Sequence, residues 1–337
     1  MKEAMLYERL SDNGVTCNLC NHRCTIKDGG YGICGVRQNI DGCLFSLVYD
    51  RIVASHIDPI EKKPLFQFYP GSMAYSIATV GCNFTCRHCQ NFDISQLPRQ
   101  KKGYIAGEKT SPEEIVKEAE RSGCKSIAYT YTEPTIFFEL AYDTAKIACQ
   151  KGIKNIFVSN GFMTPEALSE ISPYLDGINI DLKGFTDSFY KEICGGRLKP
   201  VLENIKLAKE LGIWVEVTTL IIPTLNDTKE ELQQIAEFIR DVDKDIPWHI
   251  SQFYPTYKLT TLPRTPVETL HMAREIGIEA GLHYVFEGNV PGRGNENTYC
   301  YKCGELLIER WGYSIFKNII EDGHCPSCKN SVAGVGL

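Results

Sequence analysis

Residues 74–91 run Ala74-Tyr75-Ser76-Ile77-Ala78-Thr79-Val80 and then Gly81-Cys82-Asn83-Phe84-Thr85-Cys86-Arg87-His88-Cys89-Gln90-Asn91. The first half has the length and apolar content of a buried strand, and the second is a loop carrying cysteines spaced C-x3-C-x2-C. Three thiolates on one short loop can hold three irons of a cubane and leave the fourth iron without a protein ligand. An open iron is a binding site. A structural zinc ion needs four closed ligands, and this loop offers three, with His88 awkwardly placed as a fourth beside Cys89.

Downstream, strand-like and helix-like segments alternate. Residues 126–130, 155–159, 177–181, 214–221 and 248–252 read as further short strands, and residues 111–121, 135–150, 164–171, 199–211 and 229–241 as intervening helices. Ser111-Pro112-Glu113-Glu114 supplies an N-cap, a proline at the first helical position and carboxylates in the first turn, and Thr164-Pro165-Glu166 repeats the device. Six βα units predict an α/β fold with a parallel sheet and right-handed crossovers, either an open sheet or a partial TIM-like barrel, with the partial (β/α)6 barrel the fold expected. Ligands then belong at the C-terminal ends of the strands, where the cysteine loop sits. The expected organisation is an N-terminal Cys-rich metal-binding segment over 1–69, the barrel over 70–289 and a zinc-ribbon-like module over 290–337.

The chain has 337 residues, 15 cysteines and a net charge of −6. That balance gives no general attraction for phosphate backbones or anionic lipid. No run approaches the length needed to cross a bilayer, and the N-terminus lacks an apolar signal region, so a cytoplasmic protein without a membrane partner is expected. Eleven cysteines fall into three groups with metal-ligand intervals. Cys43, Cys124, Cys149 and Cys194 are scattered, and read as small buried apolar residues.

Cys300-x2-Cys303 and Cys325-x2-Cys328 form two knuckles whose four sulfurs can close around one ion, which favours structural zinc over mononuclear iron or an electron-transfer cluster. Cys17-x2-Cys20-x3-Cys24-x9-Cys34 offers four more ligands, with His22 as a spare; spacing leaves zinc and a second cluster both open, with zinc preferred. Gly29, Gly30 and Gly32 let that loop turn back.

The cysteine triad resembles that of the radical S-adenosylmethionine (SAM) superfamily, with His88 where that motif carries an aromatic residue. The resemblance implies that Cys82, Cys86 and Cys89 hold a [4Fe–4S] cluster, that SAM chelates its open iron, and that an external low-potential donor supplies one electron to cleave SAM into a 5′-deoxyadenosyl radical. His88 belongs to the implied SAM site. Thr130-Tyr131-Thr132-Glu133-Pro134 stands where relatives carry Ser-Gly-Gly-Glu-Pro, which makes Thr132 and Glu133 the ammonium ligands, although Tyr131 and Thr132 replace both glycines. Ser159-Asn160-Gly161 is similar to a Thr-Asn-Gly near the SAM ribose and carboxylate. Asp181-Leu182-Lys183 matches an Asp-Leu-Lys that serves a monovalent cation and the SAM carboxylate, but an acid expected before Ser159 is Val158 here. Leu220 resembles the apolar strand end against which adenine packs. His249, Gln252, Tyr254, Tyr257, Arg293 and Asn295 are placed towards the substrate with no catalytic role assigned.

Over nearly its whole length the chain resembles pyruvate formate-lyase activating enzyme-like proteins, and within them the radical SAM component of the AmmeMemoRadiSam system, on Cys17-Asn18-Leu19-Cys20-Asn21-His22-Arg23-Cys24, the loop through Ser95, Tyr129–Thr135 and the C-terminal knuckles. The subgroup implies Memo-like and AMMECR-like partners. Three functions follow as expectations: hydrogen abstraction that begins modification of an RNA or protein substrate, installation of a glycyl radical on a partner enzyme, or a metal-stapled scaffold without turnover.

Overall fold

The computed structural model describes residues 1–290, 292 and 294–337. Its centre is a sheet of eight strands hydrogen-bonded in chain order: β1 (Ala54–Pro59), β2 (Met73–Ala78), β3 (Ser126–Tyr129), β4 (Lys154–Ser159), β5 (Gly177–Asp181), β6 (Trp214–Ile221), β7 (Trp248–Gln252) and β8 (Val285–Gly288). β2 to β8 are parallel, and β1 pairs antiparallel with β2. The parallel strands are joined by helices α1 (Pro112–Arg121), α2 (Phe138–Gln150), α3 (Pro165–Ile171), α4 (Leu198–Glu210), α5 (Lys229–Val242) and α6 (Val267–Glu279). Every residue of β3 is buried, and all of β5 except Asp181, as a parallel sheet covered by helices requires.

The helix starts follow from their side chains. Ser111 Oγ accepts from Glu114 N while the Glu114 carboxylate accepts from Ser111 N, closing a capping box, and the Thr164 and Thr228 hydroxyls cap α3 and α5 by accepting from Ala167 N and Glu231 N.

The sheet stays open among the described residues, with β1 and β8 as its edges. Three features depart from the expected pattern. β1 lies within the segment expected to precede the barrel, so the sheet begins at Ala54 and not near residue 70. A sixth helix and a seventh parallel strand, α6 and β8, extend the far edge. The helix expected from residue 135 opens as a tight 3-10 turn over Pro134–Phe137 before α2, because the Glu133 carboxylate caps the Thr135 amide.

Residues 65–68 close the N-terminal end of the sheet. Glu216 on β6 accepts from the amides of Phe66 and Gln67, both at 2.9 Å, and from Trp214 Nε1, and it lies 2.6 Å from His249 Nε2. Phe66 packs edge-on against the His249 ring. His249 is therefore a buried structural residue, not a substrate-facing one. The first 50 residues form two small antiparallel sheets, and Thr298–Tyr299, Leu306–Trp311 and Ser314–Asn318 form an antiparallel ribbon packed through Leu307 and Ile308 on Phe66 and Phe286. No helix among the described residues is long and apolar enough to cross a membrane.

Candidate active site and metal centres

A cleft of about 510 Å³ opens at the C-terminal ends of the parallel strands, within the size range of small-molecule sites. Cys82, Cys86 and Cys89 line it together with His88, Thr132, Glu133, Ser159, Asn160, Asp181, Lys183 and Leu220. The strand order brings these together: β2 feeds the cysteine loop, β3 the Thr132-Glu133 turn, and β4, β5 and β6 the next three contributions.

The cysteine loop is clamped from several sides. Thr85 and Arg87 donate backbone N–H bonds to Cys194 and Ile193, and Arg99 donates to the carbonyls of Phe84 and Cys82 at 2.6 and 2.8 Å. Phe84 N donates to Cys82 Sγ, and Ser95 Oγ lies 3.2 Å from Cys89 Sγ. Burial raises the Cys82 and Cys89 thiols above their ordinary values, reinforced by the neighbouring Cys86. Three thiolates here would thus need cationic compensation, of the kind a bound metal gives. Burial also lowers His88 to about 3, so its ring is neutral, and its Nδ1 has no partner.

Glu133 is held as an acceptor. Its Oε1 takes hydrogen bonds from Ser159 Oγ (2.8 Å), Thr135 Oγ1 (2.6 Å) and Thr135 N, and its Oε2 takes one from Asn160 N (2.8 Å). Burial nevertheless raises its pKa, which a bound cation would reverse. Ser159 and Asn160 are committed to the protein: the Ser159 hydroxyl serves Glu133, and Asn160 Nδ2 donates to Asn83 Oδ1, tying β4 to the cysteine loop. Asp181 and Lys183 form a 2.8 Å ion pair on the opposite wall. Burial works against the Lys183 charge, but Asp181 and the Cys86 and Cys194 thiols outweigh it and hold its pKa well above the usual lysine range.

Tyr131 adopts φ +59°, the left-handed conformation that a glycine would take freely. Its hydroxyl bonds Asp58, its carbonyl accepts from Asn91 Nδ2 at 2.7 Å, and the Lys63 ammonium stands 4.6 Å from its ring. Side-chain anchoring thus preserves the turn although both glycines of the resembled motif are gone.

Several cleft residues carried no sequence signal. Lys62 and Lys63, both bonded to Asp58 of β1, form a basic wall. Burial pulls Lys63 down to about 8 against the opposing effect of Asp58. Tyr313 of the C-terminal ribbon reaches the mouth, and so do Thr218 and Ser251, the former with an unpartnered buried hydroxyl. The run Glu61-Lys62-Lys63-Pro64 was visible, but nothing in its spacing points to a site 70 residues onward. Of the scattered cysteines, Cys194 is buried and lies within 4.8 Å of Cys86 and His88, Cys124 is buried, Cys43 is half-buried, and Cys149 is exposed, contrary to expectation.

The other substrate-facing candidates among the described residues are absent from the cleft lining. Gln252 turns away and donates to Thr265 O at 2.6 Å, Tyr254 bonds the Asn289 carbonyl, and Asn295 offers its carbonyl to Glu287 N. Tyr257 stacks on Phe92 at 4.6 Å. Arg293 lies outside the described residues.

In the C-terminal ribbon the four sulfurs of Cys300, Cys303, Cys325 and Cys328 lie within 4.8 Å of one another, with pairs at 3.6 and 3.7 Å. That donor set fits one tetrahedral ion. Cys17, Cys20, Cys24 and Cys34 surround a small cavity of their own. His22 is not among the residues around that cavity, and its Nε2 bonds the Asn83 carbonyl at 2.8 Å.

Three thiols and a series of polar strand ends thus line one cleft at the C-terminal edge of a mostly parallel α/β sheet. A family model described as the radical SAM superfamily matches residues 76–239, and this chain belongs to that superfamily. It is 49% identical over 335 residues to an uncharacterised protein of Methanocaldococcus jannaschii, MJ0808, covering 98% of this chain and 99% of that one. It is 25% identical over 169 residues to the pyruvate formate-lyase-activating enzyme of Clostridium pasteurianum, covering 48% of this chain and 67% of the relative. A solved radical SAM methyltransferase from Sphaerobacter thermophilus shares the fold, with a TM-score of 0.51 and 13% identity over 66% of this chain and 68% of that one.

Proposed function

We propose that this chain is a SAM-cleaving enzyme whose Cys82, Cys86 and Cys89 hold a [4Fe–4S] cluster and whose cleft holds SAM and one substrate. The reading rests on one observation: three thiols, a buried carboxylate at Glu133 and the Asp181–Lys183 pair converge on one cleft from successive strand ends. When bound, the cluster and SAM supply the chemistry, in which one electron breaks the S–C5′ bond to give methionine and a 5′-deoxyadenosyl radical that takes one hydrogen atom from the substrate.

The protein's own work is positioning. Glu133 accepts from the SAM ammonium, with the Thr132 carbonyl beside it. Lys183 pairs with the SAM carboxylate, and Asp181 holds Lys183 in place. Leu220 supplies the apolar surface for adenine, while the neutral His88 ring covers the cluster side. The Asp181 carboxylate is half-exposed and already paired, and with Val158 in place of an acid no monovalent-cation site is assigned. The four C-terminal cysteines hold structural zinc.

Hydrogen abstraction that begins modification of a macromolecule is the reading preferred. Activation of a glycyl-radical partner is the second, supported by the similarity to an activating enzyme. Memo-like and AMMECR-like proteins are the first partners to try under either reading.

The test is an anaerobic reaction of the reconstituted chain with SAM and dithionite. Formation of 5′-deoxyadenosine is expected, with loss of at least a thousand-fold when Cys82, Cys86 or Cys89 is changed to alanine, about 4 kcal/mol. Undiminished cleavage in those variants would refute the assignment, and no cleavage by the wild type would favour a scaffold. A doublet EPR signal on mixing with a partner would select the activase reading.

A further inference from the structure

The two four-cysteine groups of this chain differ in spacing. The C-terminal sulfurs crowd to 3.6 and 3.7 Å, as four thiolates do on one ion at about 2.3 Å from each. Cys17, Cys20, Cys24 and Cys34 instead keep a cavity between them, as the outer ligands of a cubane must. Their order points the same way. Three in a close run with a remote fourth is a cluster-ligating pattern, whereas paired knuckles are the pattern of zinc.

Arg37 is an independent observation. Its side chain lines the same cavity and is 1% exposed. One nitrogen, Nη2, makes both bonds to Glu139, each 2.6 Å, while Nε and Nη1 have no partner in the protein. Buried N–H donors left unsatisfied are costly. Thiolate and sulfide sulfurs of an anionic cluster would accept them, and such bonds raise a cluster's potential.

The cavity also abuts the triad loop. A Cβ on Gly81, the residue before Cys82, would lie 3.2 Å from the Cys34 carbonyl. The Arg99 guanidinium donates to both Ile33 O (2.6 Å) and Cys82 O (2.8 Å). We propose that the N-terminal tetrad holds a second iron–sulfur cluster, hydrogen-bonded by Arg37, through which one electron reaches the triad. An external low-potential one-electron donor reduces this cluster, the electron passes to the triad's cluster, and the tetrad returns to its oxidised state. The relay rests on the reading of the triad as the SAM-cleaving site, but the tetrad's metal content does not.

The experiment is metal and sulfide analysis of three anaerobically reconstituted chains: wild type, Cys82→Ala/Cys86→Ala/Cys89→Ala, and Cys17→Ala/Cys20→Ala. The triad variant is expected to keep about four irons and four sulfides per chain, where the wild type has about eight. Its Arg37→Gln form should show a lower midpoint potential in an EPR-monitored titration. A triad variant with two zinc ions and no iron overturns the proposal, even if the wild type still cleaves SAM. A triad variant that keeps its iron while the wild type makes no 5′-deoxyadenosine sinks the SAM-cleavage reading and leaves the second cluster standing. In the reduced wild type, spin–spin broadening that disappears in either variant supports adjacency. Two non-interacting signals overturn the relay.

Discussion

Tyr131 shows how a residue other than glycine is held in a conformation that favours glycine. A tyrosine at φ +59° costs about 1–2 kcal/mol relative to a right-handed conformation, and its bonds to Asp58 and Asn91 offset that cost. Tyr131→Phe removes the Asp58 bond, so the turn presenting Thr132 and Glu133 should loosen and SAM affinity fall by roughly ten-fold, about 1.4 kcal/mol. Tyr131→Gly, which takes that φ freely, should lose less. Equilibrium dialysis of SAM against the two anaerobic variants checks this; equal affinity for Tyr131→Phe and wild type would mean that the turn holds without its anchor. The cysteine triad and the Glu133, Asp181 and Lys183 positions were legible because each sits immediately after a readable strand. Lys62, Lys63 and Asp58 were not, since their role arises only when β1 is laid beside β2.

Elements were read well where local chemistry decides them and missed where packing does. α1 begins at Ser111 because the capping box satisfies backbone donors within four residues. Ser111→Ala should lower stability by about 1 kcal/mol in urea unfolding while SAM cleavage stays unchanged, because α1 lies on the outside of the sheet; a change in cleavage would place the helix in the site. α6 escaped notice because its buried residues are few, Leu270, Ala273 and Gly277, and its other faces carry mixed residues. Gly277 fits there because a Cβ would meet the Trp248 and Val285 side chains at 3.0 Å. β8 is only four residues long and gains its identity from parallel pairing with β7. β1 likewise has an irregular exposure pattern, and its antiparallel pairing with β2 is what makes it a strand.

At the scale of the molecule, the two terminal segments act as the barrel's fittings. Arg310 of the ribbon is 5% exposed, donates to the Phe66 carbonyl at 2.8 Å and lies 4.7 Å from the Phe66 ring, so the C-terminal ribbon is held on the segment that closes the sheet's base. Its four cysteines stand where a small antiparallel ribbon has a core of few residues, and a metal ion held by them would add stability. Changing Cys300 and Cys303 to serine should therefore abolish hydrogen-exchange protection across Leu306–Asn318 while β2 to β7 remain protected. Retained protection in the ribbon would show that its packing on Phe66 and Phe286 suffices. From the linear chain alone came the α/β class, the three cysteine groups and the order of polar strand ends, because strand length, helix caps and metal-ligand intervals are set by residues near one another. The tertiary structure alone decided that His249 is buried on Glu216, that Lys62, Lys63 and Tyr313 face the cleft, and that Arg37 lines the N-terminal cysteine cavity. Those contacts join residues far apart in the chain, and no local pattern encodes which of two faces a buried polar group will meet.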